Sequence, residues 1–263
     1  MGVVRTDQWL TELYDDPIQL CKKLQSKFPN VTPNDLYEYL QLHGMYRPLK
    51  ESKEVIAKLK KRKVWHVVQR EFLLLQEEWS GSKVPIYIFP VDTRNRKIVR
   101  EFNEKSGLAF NDKLFLFLSP NNEEEEIKAL LTHEYNHVCR LKHNKKTENE
   151  YTLLDSIIIE GLAEGAVLER CGKTHLASWT SYYTRNQAYT FWRKIIKDHK
   201  DVKKDSRRHN DILYGTRLNP KMVGYAVGYH IVQECIEHSK LQIKDLLSLS
   251  SDKILQLSKF AKE

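Results

Sequence analysis

The chain has 263 residues, of which 41% are hydrophobic and 30% are charged, and its net charge is +8. This is enough apolar sequence for a substantial core, and no run of 18 apolar residues occurs, which excludes a transmembrane helix. Four cysteines lie far apart without paired spacing. This pattern argues against a disulfide framework or a cysteine-based zinc site, and favours a reducing cytoplasm.

The first 80 residues are predicted to form helices, because their apolar positions recur at helical spacing. The predicted segments are 7–28, 32–44 and 52–79, the last read as one long helix that breaks at Ser80-Gly81-Ser82. We therefore predict an N-terminal helical region over residues 1–82 and a second domain over 83–263.

The pattern then changes to short apolar runs rich in β-forming residues, at 84–92, 107–110 and 113–120. Helical segments follow, and the chain between the last two, 201–219, is polar and predicts a loop. The predicted helices are 121–142, 153–171, 178–199 and 220–238. Helices, then a few strands, then helices indicate the α+β class.

One motif indicates chemistry: HEYNH at residues 133–137, an instance of H-E-x-x-H. A helix advances about 100° per residue, so His133 and His137 lie one turn apart and within about 40° of each other. Two imidazoles placed in this way can hold a tetrahedral Zn²⁺ ion. Glu134 lies beside them, where it can take a proton from a water molecule held by the metal. The alternative is an ordinary amphipathic helix.

The next helix offers a third ligand. Glu160 follows the apolar residues 157–159, where a charged group is costly to bury without a partner. Coordination of zinc would compensate that cost. Glu164 lies one turn further on the same face and can accept the spare ring N–H of a ligating histidine. The alternative is that both carboxylates belong to a solvent-facing stripe.

HEYNH followed by EGLAE (160–164) resembles the gluzincin metallopeptidases, whose thermolysin-like members use this motif with a glutamate on the next helix. More narrowly, HEYNHVCRL, DSIIIEGLAE and GYAVGY, in this order, resemble the YjaZ-like family of predicted zinc-dependent proteases. The resemblance covers roughly the last two thirds of the chain. It implies a zincin-like (gluzincin) core with a small mixed sheet and the following site: ligands His133, His137 and Glu160, base Glu134, and supporting carboxylate Glu164. The interval between the second histidine and Glu160 is longer than in thermolysin-like enzymes.

Three further residues are candidates beside this site. Tyr225 and Tyr229 lie one turn apart in GYAVGY, and a hydroxyl near zinc could stabilise an oxyanion. Tyr225 is preferred for its place in the family's stretch, and core packing of both rings is the alternative. Arg140 is predicted to bind carbonyl or carboxylate groups of a substrate, or else to pair with Glu160 or Asp155.

The sequence therefore predicts a zinc-dependent peptidase acting on a peptide or protein substrate, with Glu134 as general base. KLFLFLS (113–119) is either the edge strand that aligns the substrate or a core strand. A non-catalytic zinc-binding regulatory or chaperone-like protein is the first alternative. The second is a basic nucleic-acid-associated protein, but the clusters 58–63 and 203–208 lack a recognisable motif, so no specific nucleic acid is expected. The pattern leaves the oligomeric state open.

Overall fold

A computed structural model of the protein describes residues 2–49 and 52–262. The chain divides into two compact units, Met1–Tyr135 and Asn136–Glu263, and the division falls within a helix. The predicted boundary after residue 82 lies inside the first unit. Helices predominate and a small mixed sheet accompanies them, so the α+β class is confirmed.

The first unit begins with helices, as predicted. They are α1 (Thr6–Leu13), α2 (Pro17–Lys23), α3 (Pro33–Leu42), α4 (Ser52–Lys61) and α5 (Val64–Glu78). The prediction of one long helix over 52–79 was wrong. The backbone of Lys63 is left-handed, with φ of 53°, and this residue separates α4 from α5. A non-glycine residue in this conformation interrupts the regular hydrogen bonding of a helix.

The sheet contains β1 (Ile86–Pro90), β2 (Lys105–Ala109) and β3 (Leu114–Leu118), with α6 (Arg96–Glu101) between the first two. Its order is β1-β3-β2, with β1 parallel and β2 antiparallel to β3. Every residue of β3 is buried, which explains its continuous apolar sequence. The core-strand alternative for this segment is therefore confirmed, and β2 is the antiparallel edge strand.

Helix α7 (Glu124–His143) follows the sheet. Its first turn carries three glutamates and its last turn carries Arg140, Lys142 and His143. These charges interact favourably with the helix dipole. In the first unit, Tyr135 anchors this helix to α5. Its ring stacks on Trp79 at 5.8 Å, and its hydroxyl donates to the Ser82 carbonyl at 3.0 Å.

The second unit contains α8 and a set of further helices. They are α8 (Leu153–Cys171), α9 (Arg185–Phe191), α10 (Arg207–Leu213), α11 (Val223–Ser239), α12 (Ile243–Leu246) and α13 (Ser251–Leu257). The bounds predicted for α8 are confirmed. The predicted loop at 201–219 contains α10 instead, because Ser206 caps a turn whose Ile212 and Leu213 are buried.

Helices α8 and α11 approach each other closely at two glycines. A Cβ at Gly161 would lie 2.5 Å from the carbonyl carbon of Gly228, and a Cβ at Gly228 would lie 2.6 Å from that of Ile157. Real Cβ atoms do not come so near to backbone, so glycine is required at both positions. This close packing brings the middle of α8 next to the first half of α11.

Candidate metal centre

The HEYNH segment lies in the second half of α7. His133 and His137 are both partly buried, one helical turn apart on this continuous helix. The helix buries Leu131, Tyr135 and Val138 on an adjoining face. The two imidazoles therefore project from the same side of a helix that is held by its apolar residues.

Glu160 is carried by α8. Thr152 begins this helix with a capping box, in which its hydroxyl accepts from the Asp155 amide and the Asp155 carboxylate accepts from the Thr152 amide. Ile157 and Ile158 are buried, and Ile159 and Glu160, which follow them, are partly buried. Its Oε2 lies 3.8 Å from Nε2 of His137.

His133, His137 and Glu160 form one cluster. Each offers one ligand atom, and these atoms all lie within 4.8 Å of one another. Ligands 2.0–2.2 Å from a tetrahedral zinc ion stand about 3.5 Å apart, so a small closure of the cluster would suffice. Two imidazole nitrogens and one carboxylate oxygen are the donors found in three-ligand zinc sites. The residues present therefore fit a Zn²⁺ ion.

Glu134 is mostly buried, with 8% of its surface exposed. Its side chain lies against β2, where a Cβ added to Gly107 would come within 2.5 Å of the Cγ, Cδ and Oε1 atoms of Glu134. The carboxylate next to the first histidine of the motif is thus held directly over the edge strand of the sheet.

The two candidate tyrosines have different neighbours. Burial, followed by the charge of Glu160, raises the pKa of Tyr225, and Tyr225 also has side-chain hydrogen bonds with Glu160 and Tyr214. Burial, followed by the charge of Glu164, raises the pKa of Tyr229. Tyr225 is therefore the tyrosine beside a residue of the cluster, and Tyr229 lies one turn further along, towards Glu164.

Glu164 is buried, with 3% of its surface exposed. One of its oxygens, Oε2, accepts a hydrogen bond of 2.8 Å from the Ala177 amide. This contact ties α8 to the turn that carries Trp179, whose ring lies edge-on to Tyr225 at 5.2 Å. The support of a ligating histidine by Glu164 stays a prediction.

Arg140 is placed differently from the prediction. It is buried, with 2% of its surface exposed, and its guanidinium donates to the backbone carbonyls of Leu246, Leu247 and Leu249. Burial lowers its pKa to about 10, so it remains a cation at neutral pH. A substrate contact does not fit this placement, because the donors are occupied by carbonyls of this chain.

Asp155 links the start of α8 to two other segments. Its Oδ1 accepts from the Ser251 hydroxyl at 2.7 Å, and its Oδ2 accepts from Lys146 Nζ at 2.7 Å. Burial by itself would raise the pKa of Asp155, but hydrogen bonds from Lys146, Ser251 and the Thr152 amide outweigh it and lower the pKa below the ordinary 3.8. The ionised carboxylate is therefore favoured in the folded protein.

We predict a pH dependence of stability from Asp155. A carboxyl group with a lowered folded pKa stabilises fully above its unfolded value, near 3.8, and loses that contribution as the pH falls through the folded value. Asp155→Asn should lower the melting temperature at pH 7, and its difference from wild type should be smaller at about pH 2. Thermal unfolding monitored by circular dichroism measures this, with exposed Asp201→Asn as control. An equal difference at both pH values would contradict the assignment.

Two residues of this region were not predicted from the sequence. Gly107 lies under Glu134, and Tyr214 lies beside Tyr225, with their rings 5.7 Å apart. Tyr214 is 45% exposed, so its ring faces solvent next to a neighbour of Glu160. Neither residue belongs to a motif, and only the tertiary structure brings them to the cluster.

Comparison with known proteins identifies the family. The family model described as "Predicted Zn-dependent protease (DUF2268)" matches residues 64–256. The chain belongs to this family. The uncharacterized protein YjaZ of Bacillus subtilis (strain 168) is 43% identical over 257 residues, which cover 97% of this chain and 98% of YjaZ. The predicted YjaZ-like membership is therefore confirmed.

A more distant relative covers less of the chain. The uncharacterized protein YjfC of Bacillus subtilis (strain 168) is 24% identical over 152 residues, which are 54% of this chain and 50% of YjfC. No solved structure matches the chain. Within the described residues, none of the helices combines the length and apolar character needed to cross a membrane.

Proposed function

We propose that this protein is a zinc-dependent peptidase with a gluzincin-like core. The observation that carries the proposal is the cluster of His133, His137 and Glu160, whose ligand atoms lie within 4.8 Å of one another. Membership of a family described as predicted Zn-dependent protease supports it. When bound, Zn²⁺ would act as a Lewis acid on a water molecule and on the carbonyl to be attacked.

In this proposal Glu134 is the general base. Its carboxylate follows the first histidine of the motif, and it is confined by β2 on one side. A base must be held within hydrogen-bonding reach of the proton that it removes, and confinement reduces the positions that the carboxylate can adopt. Glu134 would take a proton from water and pass it to the departing amine of the cleaved peptide.

The edge strand gives a peptide substrate a place to bind. In the described residues β2 has one ladder partner, β3, so β2 is an edge strand of the sheet. An extended peptide added at this edge would form main-chain hydrogen bonds and pass beside Glu134. The Tyr225 hydroxyl, next to Glu160, would donate to the oxyanion that develops at the attacked carbonyl.

A purely structural zinc site is the weaker alternative. Such sites normally have four protein ligands. Among the described histidine, cysteine and acidic residues, the cluster has three members. A structural site would also have no need of a carboxylate held beside it. Both features favour an enzyme.

Metal analysis of the purified protein tests the proposal. We expect about one zinc per chain in the wild type. His133→Ala should weaken zinc binding by more than about a hundredfold, because loss of an outer-shell partner alone costs roughly 10- to 100-fold. His143→Ala is the matched control, since His143 is exposed on the same helix and should leave zinc binding unchanged. Equal zinc affinity in wild type and His133→Ala would refute the site.

A further inference from the structure

Gly107 lies in the middle of β2, opposite Leu116 of β3. A Cβ on this residue would lie within 2.5 Å of three atoms of the Glu134 side chain. Real Cβ atoms do not approach other atoms so closely, so the Glu134 carboxylate occupies space that any other residue at 107 would fill. The contact lies within the first unit of the chain.

The backbone of β2 gives no other reason for a glycine. Gly107 is not among the glycines with positive φ, which are Gly44, Gly172 and Gly215. A residue with a side chain could therefore adopt its conformation. Glycine inside a strand is normally unfavourable, because it loses more conformational entropy on folding than other residues and has no side chain to pack. It commonly marks a close approach of another group. Here the approaching group is Glu134.

We propose that Gly107 is a positioning residue: its missing side chain sets where the Glu134 carboxylate sits beside the His133–His137–Glu160 cluster. A larger residue would push the carboxylate away from β2 by rotation about the flexible Glu134 side chain. The helix backbone and the three ligands would keep their places. A loss of catalysis without a loss of metal binding would follow, and this consequence rests on the proposed function.

The steric part of the inference is tested by a double-mutant cycle on stability. Gly107→Ala should lower the melting temperature of the purified protein by roughly 2–6 °C, because the added methyl group overpacks against Glu134. In a Glu134→Ala background the side chain that it meets is gone. The same Gly107→Ala change should then cost less than about 1 °C. Equal losses in both backgrounds would overturn the inference.

Ser106→Ala provides the matched control. Ser106 precedes Gly107 on the same strand and points to its other face, where its hydroxyl donates to the His43 carbonyl at 2.7 Å. Any destabilisation by Ser106→Ala should be the same in the wild-type background and in the Glu134→Ala background. This control separates a specific contact with Glu134 from a general weakening of β2.

The functional part is tested with zinc analysis and hydrolysis of fluorescein-labelled casein. Gly107→Ala should keep the zinc content and zinc affinity of the wild type while its rate of casein hydrolysis falls about a hundredfold, the order expected for a displacement of about 1 Å. Loss of zinc together with activity would overturn the positioning role. A wild type that binds zinc and cleaves no casein would count against the proposed function, and the stability cycle would still decide the steric inference.

Discussion

Glu134→Gln should retain zinc and lose hydrolysis. Glutamine has nearly the shape of glutamate, so it can occupy the same space against Gly107, but its amide cannot accept and pass on a proton. A general base contributes about 10²- to 10⁴-fold to a rate, so we expect the rate of peptide cleavage to fall at least about a hundredfold. The measurement is cleavage of labelled casein by variants loaded to equal zinc content.

The matched control is Glu125→Gln. Glu125 lies on the same helix, is exposed, and pairs with Lys128 at 2.7 Å. It should keep the wild-type rate, because it is far along α7 from the motif. Activity of Glu134→Gln within about twofold of wild type would rule out the proposed base. A zinc affinity that falls together with the rate would instead assign Glu134 to holding the metal site.

The helix ends that the sequence predicts correctly are those marked by local signals in the sequence. Helix α8 was predicted with its observed bounds, and Gly172 marks its end in the sequence. The structure adds a capping box at Thr152, which fixes its start. The break between α4 and α5 has no such marker. It is at Lys63, a residue with no special preference for a left-handed conformation, so the surrounding structure imposes it.

Helix α10 is the opposite error, because the sequence predicts a loop where the structure has a helix. Its sequence is polar enough to predict a loop, yet His209 is buried and its Nε2 lies 2.9 Å from the Ser156 hydroxyl of α8. Histidine is polar, so residue type alone does not distinguish a buried, hydrogen-bonded histidine from one at the surface. The apolar face of so short a helix, Ile212 and Leu213, is too small to give a periodic signal.

The candidate site also contains residues that the sequence predicts and residues that it does not. His133 and His137 are one turn apart, so helical geometry alone predicts that they face one point. Glu160 required an energetic argument, the cost of a charge after an apolar run, and the structure places it beside His137. Gly107 and Tyr214 come from distant segments with no motif. Their part in the site follows from strand order and helix packing, which a single sequence does not disclose.

Arg140→Met should destabilise the protein by about 3 kcal/mol. The carbonyls of Leu247 and Leu249 would lose the guanidinium donor, whereas the Leu246 carbonyl would keep the Leu249 amide as its donor. Each unsatisfied buried acceptor costs about 1–3 kcal/mol. Part of this cost is offset, because the buried cation and its desolvation are also removed. Urea unfolding near pH 7 measures the change in the free energy of unfolding. An m-value equal to that of the wild type shows that the two free energies can be compared directly.

Lys142→Met is the control for the loss of a positive charge from the same end of α7. Lys142 is exposed, so its replacement should change the free energy of unfolding by no more than about 0.5 kcal/mol. A loss below about 1 kcal/mol in Arg140→Met would show that these carbonyls find water or other donors when the guanidinium is removed.

The same variant separates the two roles considered for Arg140. Its guanidinium donates to the Ser251 hydroxyl at 3.3 Å, and that hydroxyl donates to Asp155 in the first turn of α8. This chain of hydrogen bonds connects the helix of His137 to the helix of Glu160 within the second unit. Arg140→Met should therefore weaken zinc binding, by roughly tenfold, as loss of an outer support does. A substrate-binding arginine would instead raise KM and leave both zinc affinity and stability unchanged.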